Sequence, residues 1–317
     1  MARLPRVAEL VASSSGTGFF LCARKERRVG RGGPFLALLL QDVSGEVPAK
    51  VFQDVESASE QFEAGEFVAV QGHGNSFHER VELVLDKIRR VIPDDATRGF
   101  REEDCIPSSP RNVDEMWQEL CNRLASVEHP QLRALLTKIV ADNTDRLRMW
   151  PAARQVHHAY RSGLLEHLLK IMEISIYVAE RYGARRDLLI AGALLHDIGK
   201  LRELNYEVAI DYSVQGNLVG HIVIGVGMLR DAIREIPEFP PDLAIELEHL
   251  ILSHHGSREH GSPVLPMTIE ALILAATDDL DATIHQARRH IADDDNEGAF
   301  TTYHRHLERV LYKPPQS

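Results

Sequence analysis

The stretch AGALLHDIGK, residues 191–200, decides the fold of this chain. Its first half has the apolar character of a buried helix, but it ends with His196 and Asp197 side by side and with Lys200 one helical turn further on. Burying an unpaired charge costs several kcal/mol. We therefore expect a partner of opposite charge to lie against His196 and Asp197 inside the protein.

Further histidines and aspartates occur in other apolar, helix-like segments of the C-terminal half. They are His167, His221, His254, His255 and Asp278. A single histidine on such a helix is more often a hydrogen-bonded core residue than a ligand, but five histidines, counting His196, and an aspartate from several such segments favour a shared site. Neutral imidazoles and carboxylates are ligands of divalent metals such as Mn²⁺, Fe²⁺ and Zn²⁺. Bound cations are therefore the predicted partners of His196 and Asp197.

The composition is that of a soluble globular protein. The chain has 317 residues, of which 44% are hydrophobic and 26% charged, enough for two or three domains. It shows no secretory signal pattern and no apolar run long enough to span a membrane. Three cysteines lack disulfide or metal spacing, which favours a reducing compartment. The expected location is the cytoplasm, with no membrane association.

The hydrophobic pattern changes between the two halves of the chain. Short β-branched or aromatic runs separated by turn signals, such as PFLALLLQDVSGEVPAKVF and RVELVLDKIRRV, predict four or five strands before residue 93. A helical period then dominates. We predict a multidomain protein with a small OB-like β-barrel over 1–92, a linker over 93–112 and an all-α helical bundle over 113–317. A two-sheet sandwich is the alternative for the first domain.

The predicted barrel also carries candidate nucleic-acid contacts. The net charge of −11 excludes wholesale coating of nucleic acid, yet residues 1–93 hold 12 basic and 12 acidic side chains. A local basic run is either a solvated loop or an edge that contacts phosphates; it comprises Arg24, Lys25, Arg27, Arg28 and Arg31. Aromatic rings could stack on bases, although at least two of the four are expected in the core: Phe35, Phe52, Phe67 and Phe77.

The ordered set His167, His196–Asp197 and Asp278 resembles the H…HD…D signature of the HD metal-dependent phosphohydrolase superfamily. His221 and the segment SHHG resemble additions found in its dinuclear members. Together with the OB-like barrel, nearly the whole chain resembles the bacterial 3′→5′ exoribonucleases of the YhaM, or CMP-binding-factor, type. The stretches that carry this resemblance are LQDVSGEVPAKVF, HHAYRSGLLEH, LLHDIGK and ILSHHGSREHGSPVLPMTIEALIL.

The resemblance implies a centre of two divalent metal ions. One ion would be held by His167, His196, Asp197 and Asp278, and the other by Asp197, His221, His254 and His255. Two such ions can lower the pKa of a shared water and stabilise charge on a phosphoryl group. Mn²⁺ is the expected metal, with Fe²⁺, Co²⁺, Zn²⁺ and Mg²⁺ as alternatives.

Several neighbouring residues have roles that the sequence leaves open. Asp278 directly follows an apolar run and is the preferred ligand, while Asp279 or Asp281 could assist it. Lys200 either stabilises a substrate phosphate or neutralises a helix C-terminus. Arg161 is a further candidate for phosphate contact. Two histidines either support the site or lie in a loop: His157 and His158.

These features give a leading function and two alternatives. The leading hypothesis is a metal-dependent 3′→5′ exonuclease that hydrolyses single-stranded RNA, and also accommodates single-stranded DNA, to nucleoside monophosphates, with Asp197 and Lys200 as catalytic residues. One alternative is a nucleotide or cyclic-dinucleotide phosphohydrolase with a regulatory barrel. The other is a non-catalytic OB-fold nucleic-acid-binding protein. A homo-oligomer is compatible with all three.

Overall fold

The computed structural model describes residues 2–30, 32–77, 80–152, 160–206, 210–294, 296 and 298–314. The chain divides into a barrel unit, which takes in Met1–Ser108, and a helical unit, which begins at Ser109. Among the described residues, none of the helices combines the length and apolar character needed to cross a bilayer.

The barrel unit is a closed sheet of five strands within the described residues. They are β1 (Ser15–Gly30), β2 (Gly33–Asp42), β3 (Gly45–Val51), β4 (Phe67–Phe77) and β5 (Arg80–Arg90), with helix α1 (Val55–Glu60) between β3 and β4. The strand order around the barrel is β1-β2-β3-β5-β4, and only β3 and β5 pair in parallel. This confirms the predicted OB-like barrel, and closure of the sheet excludes the sandwich.

Alternation along the strands fills the barrel. In β2, for example, Leu36, Leu38 and Leu40 point into the core while the residues between them are partly exposed. This period of two places every second side chain on the inner face. The alternation therefore decides which aromatic side chains of the barrel remain available on its outer face.

The first part of the predicted linker folds onto the barrel instead. Two 3₁₀ turns, Pro93–Arg98 and Glu102–Asp104, occupy this segment. The ring of Phe100 lies 5.5 Å from that of Phe19 and 5.4 Å from that of Phe67. Edge-on ring contacts of this kind stabilise the packing of a segment that has no periodic apolar pattern. The segment thus belongs to the barrel unit, which continues to Ser108 and also takes in Tyr206.

An ion pair also anchors this segment. The Asp95 carboxylate accepts hydrogen bonds from Nη1 and Nη2 of Arg89, at 2.6 and 2.8 Å, and from the backbone N–H of Ile92 at 2.9 Å. The hydrogen bonds from Arg89 outweigh burial and lower the pKa of Asp95 to about 2. Since the folded-state pKa lies below the usual value of 3.8, the pair stabilises the fold above about pH 4. That contribution is lost as the pH falls through about 2.

Replacing Asp95 by asparagine should therefore destabilise the barrel at neutral pH. The pKa shift alone corresponds to about 2 kcal/mol, and because solvent screens the partly exposed Arg89 we expect about 1 kcal/mol. Urea denaturation followed by circular dichroism at several pH values measures the difference. Asp94→Asn, at a neighbouring side chain that is 62% exposed, is the control. A stability difference that does not shrink between pH 4 and pH 2 would contradict this origin.

The helical unit contains ten helices and a short hairpin within its described residues. They are α2 (Val113–Ala125), α3 (Pro130–Asp142), α4 (Thr144–Met149), α5 (Gly163–Tyr182), α6 (Arg186–Leu195), α7 (Lys200–Glu203), β6 (Leu204–Tyr206), β7 (Ile210–Tyr212), α8 (Val214–Val219), α9 (His221–Arg234), α10 (Pro241–Ser253) and α11 (Ile269–Asp293). Helix α6 is buried from Leu188 to Leu195 and packs against α5, α10 and α11. The unit is a helical bundle as predicted, with one small two-stranded sheet added to it.

Candidate metal centre

The predicted metal ligands lie on helices of the bundle or directly after them, most of them at a helix end. His167 lies in the second turn of α5, and Asp278 lies within α11. The others are His196 and Asp197, directly after α6, His221, the first residue of α9, and His254 and His255, directly after α10. The fold therefore brings together side chains that are more than a hundred residues apart in the sequence.

Within the described part of the chain, these side chains form two groups whose ligand atoms lie within 4.8 Å of one another. The first group consists of His167, His196 and Asp278. Nε2 of His167 lies 3.2 Å from Nε2 of His196 and 3.3 Å from Oδ1 of Asp278. A cation between these three atoms would have two imidazole ligands and one carboxylate ligand.

The second group consists of His221, His254 and His255. Nε2 of His221 and Nε2 of His254 are both buried, and neither has a hydrogen-bond partner among the described residues. The ring centroids of His254 and His255 are 4.2 Å apart, and those of His221 and His255 are 5.3 Å apart. This group offers three imidazoles to a second cation.

Asp197 lies between the two groups and faces each with a different oxygen. Its Oδ2 is 3.5 Å from Nε2 of both His167 and His196. Its Oδ1 is 3.5 Å from Nε2 of His221 and 3.8 Å from Nε2 of His254. A carboxylate in this position can be a ligand of two ions at once. The side-by-side histidine and aspartate of residues 196 and 197 thus have an explanation in this geometry.

Divalent metal ions fit these residues. Three buried acceptor atoms lack a hydrogen-bond partner in the described structure: Oδ1 of Asp197, Nε2 of His221 and Nε2 of His254. An unsatisfied buried polar atom costs about 1–3 kcal/mol, so three in one place indicate an absent partner. Mixed imidazole and carboxylate ligands are typical of first-row divalent metals.

The tautomers of three histidines are fixed by the backbone. Nδ1 of His196 and Nδ1 of His254 each donate to the carbonyl three residues earlier, at 3.0 and 2.7 Å. Nδ1 of His255 donates to the carbonyl of His260 at 2.8 Å. Because a carbonyl only accepts, the proton is on Nδ1 and the Nε2 lone pair faces the centre, as a metal ligand requires.

The protonation of the histidines differs between positions. Burial, followed by the effect of His196, holds the pKa of His254 well below its usual range, and burial also lowers the pKa of His196 and His255. These rings are neutral at pH 7. Burial also opposes a charge on His167, but hydrogen bonds with Asp278 and Asp281 outweigh burial and raise its pKa to about 9.

Lys200 contacts the Asp197 carboxylate directly. Its Nζ donates to Oδ2 of Asp197 at 2.6 Å, and the side chain is almost buried. Lys200 is the first residue of the one-turn helix α7 and lies five residues after the end of α6. Although burial opposes ionisation, Lys200 and the surrounding histidines hold the pKa of Asp197 well below its usual range. Lys200 thus keeps the carboxylate charged.

Two further carboxylates contact histidines of the two candidate groups. Oδ2 of Asp281 accepts from Nδ1 of His167 at 3.0 Å, whereas Asp279 is exposed, which answers the question that the sequence left open. Sequence reasoning missed Glu203, whose Oε1 accepts from Nδ1 of His221 at 3.1 Å. The spacing of three residues from Asp197 through Lys200 to Glu203 was an available signal, because such residues share one face of a helix.

The basic run of the barrel is largely neutralised. Nζ of Lys25 donates to the carbonyls of Ser59 and Phe62, at 2.7 and 2.6 Å, and pairs with Glu63 at 3.1 Å. With 11% of its side chain exposed, Lys25 holds the end of α1 and is not available to phosphate, contrary to prediction. Exposed arginines are paired with Glu26 or Glu56; they are Arg24, Arg27 and Arg28.

The aromatic candidates of the barrel separate into two kinds. Phe35 and Phe52 form a pair with ring centroids 5.6 Å apart, in which Phe35 is partly buried and Phe52 is 54% exposed. Phe67 packs against Phe100 instead. In the helical unit, Arg161 is partly buried just before α5, and its carbonyl accepts from the backbone N–H of Ser109. Other candidates lie outside the described residues or side chains: Arg31, Phe77, His157 and His158.

Comparison with known proteins gives similarities over both the helical unit and the whole chain. The family described as HD domain matches residues 164–283. The 3′-5′ exoribonuclease YhaM of Bacillus subtilis is 34% identical over 285 residues, covering 89% of this chain and 89% of that protein. The protein of the same name from Bacillus velezensis is 33% identical over 299 residues, covering 93% of this chain and 94% of its own length.

A solved structure resembles the barrel alone. The second OB-fold domain of replication protein A from Methanococcus maripaludis is 19% identical, with a TM-score of 0.24. The similarity covers 28% of this chain and 95% of that domain.

Proposed function

This chain belongs to the family of the 3′-5′ exoribonuclease YhaM, a family of HD-domain enzymes, and from that membership we propose that it shortens single-stranded RNA from the 3′ end, releasing nucleoside monophosphates, with two divalent metal ions. The observation that carries the proposal is the Asp197 carboxylate, which faces one group of ligands with each oxygen. Single-stranded DNA is a further proposed substrate.

The residues divide the work of the proposed reaction. His167, His196 and Asp278 would hold one ion, and His221, His254 and His255 the other, with Asp197 shared. When bound, such ions activate a water and neutralise charge on a phosphoryl group. Mn²⁺ is the proposed metal, because the site is rich in imidazole whereas Mg²⁺ prefers oxygen ligands. The protein's own contribution is to keep His196, His254 and His255 neutral by burial and to keep Asp197 and Asp278 ionised.

Lys200 is proposed to act through the carboxylate that it contacts. Replacing Lys200 by alanine removes the 2.6 Å hydrogen bond to Oδ2 of Asp197 and one positive charge beside the metal groups. We expect kcat for single-stranded RNA to fall on the order of 10²-fold. Metal content should stay at the wild-type value, which elemental analysis checks. Wild-type kcat in Lys200→Ala would contradict the role, and Arg202→Ala, at an exposed position in α7, is the control.

The barrel is proposed to hold the RNA strand through base stacking on Phe35 and Phe52. Stacking on an aromatic side chain contributes about 1–3 kcal/mol per base. Phe52→Ala should therefore raise the Kd for a labelled oligouridine about 5- to 150-fold, measured by fluorescence anisotropy with chelator present to prevent cleavage. Phe300→Ala, at a phenylalanine of the helical unit that is 53% exposed, is the matched control. Equal affinities of the two variants would contradict the stacking role.

Digestion of 5′-labelled single-stranded RNA in the presence of Mn²⁺ tests the proposed function. The label should remain on a ladder of products that shortens one nucleotide at a time, and a stable 3′ hairpin should stall the enzyme. A circular RNA of the same sequence should be resistant. Internal cuts in the circle, or release of a labelled mononucleotide first, would overturn the proposal. Hydrolysis of a cyclic dinucleotide without shortening of RNA would favour the phosphohydrolase alternative.

A further inference from the structure

In each of the two metal groups, one histidine forms a hydrogen bond from its Nδ1 to a carboxylate. In the first group Nδ1 of His167 lies 3.0 Å from Oδ2 of Asp281. In the second group Nδ1 of His221 lies 3.1 Å from Oε1 of Glu203. The other three histidines donate to backbone carbonyls instead. A charged acceptor makes an imidazole a stronger donor of electrons to a metal than a neutral carbonyl does.

Glu203 contacts the backbone of His221 as well as its imidazole ring. The same oxygen, Oε1, also accepts the backbone N–H of His221 at 2.9 Å. His221 is the first residue of α9, where the backbone N–H groups lack partners inside the helix and a negative charge is favoured. Oε1 of Glu203 therefore accepts hydrogen bonds from both the first backbone N–H of α9 and the imidazole of His221.

The backbone of Glu203 is fixed by hydrogen bonds of both its N–H and its carbonyl. Its N–H donates to the carbonyl of Gly199 at 2.9 Å, and its carbonyl accepts from the N–H of Ser213 at 2.8 Å. Gly216 packs so closely on it that a Cβ there would lie 2.1 Å from the Glu203 carbonyl oxygen. Because the backbone is fixed and the side chain is largely buried, the carboxylate cannot follow a displaced His221.

We propose that Glu203 is a positioning residue for the second metal group. It keeps the proton of His221 on Nδ1 and directs Nε2 to its place 3.5 Å from Oδ1 of Asp197. The inference rests on the proposed two-ion function and adds to it that the affinities of the two ions are set separately. Glu203 sets the affinity of the ion held by His221, His254 and His255, and Asp281 sets that of the other ion.

Titration of the metal-free full-length protein with Mn²⁺ tests this separation. The wild type should bind two ions. Glu203→Gln should weaken one ion about 10- to 100-fold and leave the other unchanged, and Asp281→Asn should weaken only the other ion. Glu270→Gln removes a buried carboxylate that pairs with Arg185 elsewhere in the helical unit, and this control should change neither affinity.

Titration with Co²⁺ identifies which of the two ions is weakened, because the visible absorption of bound Co²⁺ depends on the number and kind of its ligands. Glu203→Gln and Asp281→Asn should each remove a different part of the wild-type spectrum. Glu203→Gln should also bind the weakened ion more tightly than Glu203→Ala does, since glutamine retains an acceptor oxygen.

The outcomes separate this inference from the function on which it rests. A wild type that binds fewer than two ions would overturn both. A wild type that binds two ions, with both affinities unchanged in Glu203→Gln, would overturn the positioning role alone. Equal weakening of both ions in Glu203→Gln would also overturn it, because that result indicates a general loss of structure.

Discussion

Replacing Asp197 by asparagine should lower the rate of RNA hydrolysis on the order of 10³-fold, the largest effect expected of any single side chain in this protein. Both carboxylate oxygens face imidazole nitrogens, Oδ2 toward His167 and His196 and Oδ1 toward His221 and His254. An asparagine has one acceptor oxygen and would present its NH₂ group to one of the two groups. At least one ion should then be lost.

The measurements for Asp197→Asn are the rate on 5′-labelled single-stranded RNA, the number of Mn²⁺ ions bound and the affinity for oligouridine. The affinity should stay near that of the wild type, because the proposed stacking residues Phe35 and Phe52 belong to the barrel unit. Asp279→Asn, at an exposed aspartate beside Asp278, should behave as the wild type does. A folded Asp197→Asn protein with wild-type rate and two bound ions would refute the shared-ligand role.

The residues of the two candidate metal groups could be singled out from the sequence because their chemistry conflicts with their apolar surroundings. Histidines and aspartates within or at the ends of apolar helices need partners, and a metal centre supplies one partner for all of them. The barrel could be predicted because strand alternation and turn residues are local signals. Both signals can be read from a single sequence, because each depends on residues only a few positions apart.

Other features depend on contacts that the sequence does not contain. Lys25 stands in a basic run, but its ammonium group reaches the carbonyls of Ser59 and Phe62, more than thirty residues away. Phe100 lies in a segment without periodicity, yet its ring packs on two aromatic rings of the barrel. The local sequence around Lys25 and around Phe100 does not distinguish a solvent-exposed side chain from a packed one. Only the fold shows that both side chains are packed.

The role of Gly199 was equally hidden, because a glycine after a helix usually indicates a turn. Its φ of −61° is open to any residue, so conformational freedom does not explain it. The reason is the close approach of two backbones: a Cβ on residue 199 would lie 1.9 Å from the carbonyl oxygen of His221 and 2.8 Å from the backbone nitrogen of Gly225. Both atoms belong to the first turns of α9.

Gly199→Ala should therefore displace His221, the proposed ligand at the start of α9. Backbone atoms cannot rotate away as the end of a side chain can, so α9 must shift, and His221 must move from its position near Oδ1 of Asp197. We expect loss of the second ion and a fall in RNA hydrolysis on the order of 10²-fold. The first group should still bind its ion, because the three atoms nearest to the added methyl group all belong to α9, which carries no residue of that group.

Gly227→Ala is the matched control, since Gly227 lies in α9 and an added Cβ there would have no neighbour within 4 Å in the described structure beyond the helix's own backbone. Alanine is favoured over glycine inside a helix by about 1 kcal/mol, so this variant should be as active as the wild type and slightly more stable. Metal stoichiometry, thermal unfolding and RNA hydrolysis measured on both variants separate a local displacement from a general effect of adding a methyl group. Two bound ions and a wild-type rate in Gly199→Ala would show that the position of α9 does not control the second group. One bound ion in a protein that unfolds near the wild-type temperature would place that control at the contact between residue 199 and His221.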